Sequence, residues 1–213
     1  GQLAAGMAHE IRNPLTAIKG FVKLLQQKDP EPGNKRYYRI ITSELNRIEL
    51  ILTELLVMAK PQTVSSYDHH SLNGILNDVV TICESQAILK NVEIRLTPGR
   101  MIPWIRCDAN QLKQVFLNIV KNGIDAMPNG GRIQIEIRKY GDDGVVVHVT
   151  DQGCGIPEEL LDKLGTPFFT TKEKGTGLGL MVSFKIIEEH RGRIEISSQV
   201  GRGTRVSVYL PVN

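Results

Sequence analysis

Cysteine is scarce in this chain and poorly placed for pairing. Cys83, Cys107 and Cys154 are odd in number, widely spaced and form no CxxC pair. That argues against a disulfide framework or a zinc site and for a reducing compartment. No apolar run approaches the roughly 18–20 residues a membrane span needs, and nothing resembles a signal peptide. Lys and Arg form no stripe, and a net charge of +3 is too small to argue for nucleic acid. Two common phosphate-binding patterns are also missing: there is no GxxxxGK[ST], and no GxGxxG followed by an acidic residue. What remains, 41% apolar and 23% charged over 213 residues, is an ordinary globular composition with room for one large or two small domains. The chain opens on Gly1-Gln2-Leu3, already inside a helical pattern and without an initiating Met. It reads as a fragment whose upstream part has been cut away.

Leu3, Met7, Ile11, Leu15, Ile18, Val22 and Leu25 recur at spacings of three and four, one apolar stripe of a helix near a coiled-coil seam. Pro30, Pro32 and Gly33 break the pattern. Ile41, Leu45, Ile48, Leu52, Leu55 and Ala59 then form a second stripe that stops at Pro61. The expected unit is a helical hairpin with arms of about 25 residues, whose wet seam a second copy would cover by forming a four-helix bundle. His9 sits two residues from both Met7 and Ile11, about 200° around the helix from each, so it should face solvent. Pro14 falls inside the helix and removes a donor to the Glu10 carbonyl, which predicts a kink or bulge just past the histidine.

Pro61 to Ser71 reads as a linker, with His69 and His70 expected in a loop. Beyond it, helices are expected at 71–90, 108–127 and 177–191, and strands at 92–97, 103–106, 132–140, 144–150, 193–199 and 204–210. Helices grouped against one mostly antiparallel sheet make an α+β layer. Four clusters follow in order. Asn118 and Asn122 stand one helical turn apart, on one face. Asp151-Gln152-Gly153-Cys154-Gly155 places a carboxylate at a strand end. Gly175-Thr176-Gly177-Leu178-Gly179-Leu180 opens a helix, where backbone N–H groups and the helix dipole suit an anion. Gly201-Arg202-Gly203-Thr204 is a tight turn. Each alone is often only a turn; their order and company are far more specific. A histidine beside a carboxylate at one end and a nucleotide-like site at the other suggest self-phosphorylation on His9.

HEIRNPLTAIKG resembles the H box of sensor histidine kinases. Asn118 to Asp125, Asp151 to Gly155, Phe168-Phe169, Gly175 to Leu180 and Gly201 to Thr204 resemble their N, F and glycine boxes, in the family's order and over nearly the whole chain. HEIRNPLTAIKGFVKLL and TPFFTTKEKGTGLGL are similar to the sporulation-type members of Gram-positive spore formers. The resemblance implies a dimerisation and phosphotransfer hairpin over residues 1–62, a linker over 63–70, and an α/β-sandwich ATP-binding domain of the Bergerat (GHKL) type over 71–213.

It also implies roles. His9 is the phosphoacceptor, Glu10 assists its imidazole as hydrogen-bond partner or base, and Asn13 resembles the residue used to dephosphorylate a partner. Asn122 would bind Mg²⁺, Asn118 would support the nucleotide site and Lys121 would contact phosphates. Asp151 would accept the adenine amino group, with Gly153, Gly155 and Thr204 around it. The ATP lid would run from about 156 to 175, with Phe168 at its base, Lys172 near the phosphates, and Gly175, Thr176, Gly177, Leu178, Gly179 and Leu180 cradling them. Implied partners are a second copy of the chain, a response-regulator receiver domain and small protein inhibitors that grip the hairpin. The fragment is expected to be cytoplasmic, with the missing sensor region a candidate membrane anchor. Gly123 departs mildly from the family, where alanine is commoner after the second asparagine.

Two other readings compete. An ATPase of the same nucleotide fold would carry a glutamate at the first N-box position to activate water; this chain has Asn118. A nucleotide-binding scaffold would not need Glu10, Asn122, Asp151 and a complete glycine loop together.

Overall fold

In the computed structural model, residues 2–29, 31, 34–59, 67–172 and 175–212 are described, and the side chains of residues 2–13, 50 and 53–59 lie outside that description. The chain divides into two units, Gly1–Val64 with Thr170–Leu178, and Ser65–Phe169 with Gly179–Asn213.

In the first unit, α1 (Gln2–Lys28) and α2 (Asn34–Ala59) form the expected hairpin. Helix α1 continues unbroken through Pro14. Leu15, Val22 and Leu45 form a small buried cluster against Tyr38. The stripe divides in two, because Ile18, Leu25, Ile41 and Ile48 from the same pattern are exposed. Lys19 Nζ donates to Glu49 Oε2 at 2.9 Å across the two helices. At the turn, Asp29 Oδ1 accepts from the Glu31 N–H, and Oδ2 accepts from Asn34 Nδ2 and the Tyr38 hydroxyl. These three donors, the backbone one first, hold the Asp29 carboxyl below its usual range.

The second unit is an α/β layer. Strand β1 (Asp68–His70) pairs antiparallel with β3 (Ile105–Cys107), apart from the main sheet. His69 and His70 therefore lie in a strand, not in the expected loop. The second short strand begins later than expected, past Pro103, whose missing N–H cannot feed a ladder. The main sheet has the order β2 (Val92–Thr97), β4 (Gly131–Tyr140), β5 (Gly144–Asp151), β7 (Gly203–Pro211), β6 (Arg193–Gln199). Only β2–β4 is parallel.

Alternation puts Ile133, Ile135 and Ile137 beside Val147, Val149, Val206 and Val208 on the face that meets α3 (Leu72–Leu89), α4 (Ala109–Asp125) and α6 (Gly179–Glu189). Those helices supply Leu72, Leu76, Leu112, Phe116, Ile124, Ile186 and Ile187, all at most 1% exposed. Each such side chain stabilises the fold by about 1.5–3 kcal/mol. A short α5 (Glu158–Leu161) was not expected from the sequence. Helix α6 is shorter than its predicted 177–191 at both ends: Gly177 has φ +70°, and Arg191 has φ +55° where the Gly192 N–H closes back on the Ile187 carbonyl.

Among the described residues the hairpin has few buried apolar side chains, so each of them counts. Leu45→Ala is expected to cost it about 2–5 kcal/mol, read from denaturant unfolding followed by helical circular dichroism. An unchanged midpoint would remove Leu45 from the core.

Candidate functional site

The site is built on α4. Its first turn is closed by Asp108, whose Oδ1 accepts from the N–H groups of Asn110 (2.9 Å) and Gln111 (3.1 Å). Leu112, Val115, Phe116, Ile119 and Val120 bury one face of the helix. That leaves Asn118 and Asn122, one turn apart, on a polar stripe. Asn122 Nδ2 lies 3.5 Å from Asn118 Oδ1. Asn118 Nδ2 donates to Ser183 Oγ at 3.0 Å, and the Ser183 hydroxyl donates to the Gly179 carbonyl at 3.0 Å. The pair is thus tied into the first turn of α6. A Cβ at Gly179 would run into the Asn118 amide, so only glycine lets the two helices approach this closely.

Asp151 ends β5 and is 9% exposed. Its Oδ1 accepts from the N–H groups of Gly153 (2.8 Å) and Thr204 (3.2 Å). Burial raises the carboxyl pKa above its ordinary value, opposed by those two hydrogen bonds. Both of these bonds go to one oxygen, so Oδ2 is the atom that can serve a ligand. Gly203 (φ +107°) allows the approach of the last turn, since a Cβ there would collide with the Asp151 carbonyl. Gly123 has a reason as well: a Cβ on it would lie 3.3 Å from the Asp151 Cβ and 3.1 Å from the Ile133 side chain. Gly155 (φ +72°) packs against the Gln199 carbonyl.

The fold of the second unit thus brings together Asn118, Asn122, Asp151, Gly153, Gly155, Gly179 and Thr204. Leu180 lies on α6. Lys121 is exposed and close enough to α3 for its charge to act on the Cys83 thiol. Phe168 is 64% exposed with φ +62°, a backbone state that bulky residues seldom adopt and that points to a constrained loop. Lys172, Gly175, Thr176, Gly177 and Leu178 belong to the unit that holds the hairpin. There the Gly175 N–H donates to the Lys172 carbonyl, and Thr176 Oγ1 accepts from the Leu178 N–H at 3.4 Å. His9, Glu10 and Asn13 lie on α1, but their side chains are outside the described residues.

Sequence reading missed Ser183 and Ser198. Ser198 Oγ accepts from the Ile156 N–H (2.8 Å) and donates to the Gly203 carbonyl (3.0 Å), so the Thr204 hydroxyl must donate to it. That one hydroxyl joins the start of the expected lid to the last turn. A serine four residues after Gly179 was the available signal for Ser183; for Ser198, in an alternating strand, there was none. Among the described residues no group of three or more His, Cys, Asp or Glu could hold a metal. No described helix is long and apolar enough to cross a membrane.

Comparison with known proteins agrees with this geometry. Residues 1–63 match the family described as His Kinase A (phospho-acceptor) domain. Residues 107–213 match the family described as Histidine kinase-, DNA gyrase B-, and HSP90-like ATPase. The whole chain is 50% identical to Sporulation kinase E of Bacillus subtilis (strain 168), of which it spans only 28%. Among solved structures, histidine kinase ThkA in complex with response regulator protein TrrA is 33% identical, with a TM-score of 0.72 over all of this chain and 62% of that one. Full-length ShkA in complex with AMPPNP has a TM-score of 0.86 over 99% of this chain and 45% of that one; at 21% identity it speaks to the fold alone.

Because the folded-state pKa of Asp151 is raised, the folded protein holds this proton more tightly than the unfolded chain does. The stabilising contribution is complete below the ordinary carboxylate pKa and is lost as pH rises through the raised one. Asn at this position keeps an oxygen for the two N–H donors and carries no charge. Asp151→Asn is therefore expected to melt no lower than the wild type at pH 7, and any gain should vanish near pH 4. A lower melting point at pH 7 would contradict the burial argument.

Proposed function

The chain belongs to the sensor histidine kinases, and from that premise we propose that it moves the γ-phosphoryl group of ATP to His9 and then to an aspartate of a response-regulator receiver domain. One observation carries most of the proposal. A buried carboxylate, Asp151, is fixed through one oxygen by two backbone N–H groups, beside a helix that presents Asn118 and Asn122. Such a carboxylate reads an exocyclic amino group, and adenine supplies one. Phosphoryl transfer asks mainly for positioning and charge stabilisation, and the glycine-rich segment 175–180 offers backbone N–H groups for that.

Asn122 fits a role as a Mg²⁺ ligand, since an amide oxygen is a hard donor and Mg²⁺ usually keeps waters and phosphate oxygens for its remaining positions. When bound, Mg²⁺ would neutralise charge on the phosphates. Asn118 holds Asn122 in place and is held in turn by Ser183. A neutral ring nitrogen of His9 would attack the γ-phosphorus while the bond to the β–γ bridging oxygen breaks. ADP leaves with that electron pair, and Glu10 takes up the ring proton. In the second transfer a receiver carboxylate replaces His9 on phosphorus. Asn13 is proposed to serve the opposing reaction, in which water attacks the phosphoryl group on the regulator's aspartate and releases inorganic phosphate. Asn118 stands where a water-activating glutamate would be needed, and an amide cannot act as that base, which disfavours simple ATP hydrolysis.

The same proposal divides the chain into a phosphotransfer hairpin (1–62), a linker (63–70) and a catalytic domain (71–213). Exposed Ile18, Leu25, Ile41 and Ile48 support a second copy as the hairpin's partner, and exposed Phe21 and Tyr37 support docking of a receiver or a small inhibitor protein. An upstream sensor region is proposed as the membrane anchor. The likeness to sporulation kinases supports a place in a phosphorelay that controls sporulation.

Incubation with Mg²⁺ and γ-labelled ATP should label the wild type with an acid-labile, alkali-stable phosphate, while His9→Gln binds ATP but takes up no label. Label that persists on His9→Gln would refute the assignment. Asp151→Asn should weaken ATP binding about 10–100-fold, the worth of a hydrogen bond to a charged group. Equilibrium binding that shows no change would take Asp151 out of the adenine site.

A further inference from the structure

His190 lies just past α6 and is 5% exposed. Its Nδ1 is 2.7 Å from the Ile186 carbonyl, and its Nε2 is 3.1 Å from the Asp108 N–H. A carbonyl only accepts and an amide N–H only donates, so the ring is neutral with its proton on Nδ1. Asp108 is the residue that caps α4. One imidazole therefore joins the end of α6 to the first turn of the helix that bears Asn118 and Asn122. The Tyr67 ring packs against it at 4.9 Å, tilted 54°, and the Tyr67 hydroxyl donates to the Glu189 carbonyl at 3.3 Å.

We propose that His190 is a positioning residue for nucleotide binding: as a neutral Nδ1–H ring it sets the start of α4 against the end of α6, and so sets Asn118 and Asn122 against Gly179. The assignment rests on the nucleotide reading of this site. Beyond their apolar packing, two polar contacts join the helices, the Asn118–Ser183–Gly179 contact and the His190 bridge. The two together fix the orientation of the pair more firmly than either would alone.

Burial lowers the His190 pKa, against the pull of the Ile186 carbonyl and of the Asp108 and Glu189 carboxylates. Tyr67, Arg191, Cys107 and Arg106, which donates to the Tyr67 carbonyl, are further titratable or charged groups around this joint. Protonation would place a second ring N–H against the Asp108 N–H, two donors face to face, and break the bridge. Since the folded pKa is depressed, the bridge is intact at neutral pH and is lost as pH falls below the ordinary histidine range.

Two half-isosteres separate the two bonds. In His190→Gln the longer amide can still offer an oxygen to the Asp108 N–H; in His190→Asn the shorter amide reaches only toward Ile186. ATP affinity and the melting point without nucleotide are to be measured for both. His190→Asn should bind ATP about five- to tenfold more weakly than the wild type, the worth of about one hydrogen bond, and His190→Gln within about threefold. Equal ATP affinity in all three proteins, whatever their melting points, would overturn the proposal. A wild type that itself fails to bind ATP would instead overturn the nucleotide reading. If His190→Asn does not fold, ¹⁵N shifts of the wild-type imidazole decide. A neutral Nδ1–H ring, whose titration is matched by a step in ATP affinity absent from His190→Gln, supports the role. An Nε2–H ring at neutral pH, or no matching step, defeats it.

Discussion

The second unit is organised around the burial of one carboxylate. An ionised group taken out of water costs several kcal/mol unless donors replace the lost solvation. At Asp151 those donors are two backbone N–H groups from segments far apart in sequence, one just after β5 and one at the start of β7. Bringing them in demands that two turns close on the strand end at backbone contact distance, which a side chain at position 203 would prevent. Both of these donors reach Oδ1, which leaves Oδ2 as the atom a ligand with its own donor can approach.

Helix α4 is the second constraint. Its apolar face is locked onto the sheet by residues such as Leu112, Phe116 and Ile124, so its polar stripe has a fixed direction. The amides on that stripe are neutral, and Asn118 bonds both to the Ser183 hydroxyl and to Asn122. A rigid, uncharged cradle suits a highly charged substrate because it needs little rearrangement when that substrate arrives. The hairpin unit has the opposite character. Its described core is three aliphatic side chains and a tyrosine, and much of its apolar stripe is open. Such an element is stabilised further by whatever covers it.

Much of this was legible beforehand. The period of the apolar residues located both hairpin helices, and alternation located the strands of the main sheet, because a half-buried element must repeat with its own geometry. Asp151, Asn118 and Asn122 stood out by residue type at element ends and on one helical face. Other features were hidden for physical reasons. β1 and β3 are three residues each, too short to show alternation. Helix α6 begins two residues late because Gly177 takes a left-handed backbone state that a glycine permits but does not announce. Ser183 and Ser198 look like ordinary small polar residues until their hydroxyls are placed among neighbours.

By itself, then, the sequence determined the family, the order of the main helices and sheet strands and which residue types could do phosphoryl chemistry, since periodicity and local turn chemistry are properties of neighbouring residues. Tertiary structure alone decided which donors reach Asp151, which hydroxyl ties Asn118 to α6, and that His190 bridges two helices 82 residues apart in its contact to Asp108. Those pairings depend on the sheet order and on the close approach of segments at glycines, and no local pattern encodes a distance between residues that the chain keeps far apart.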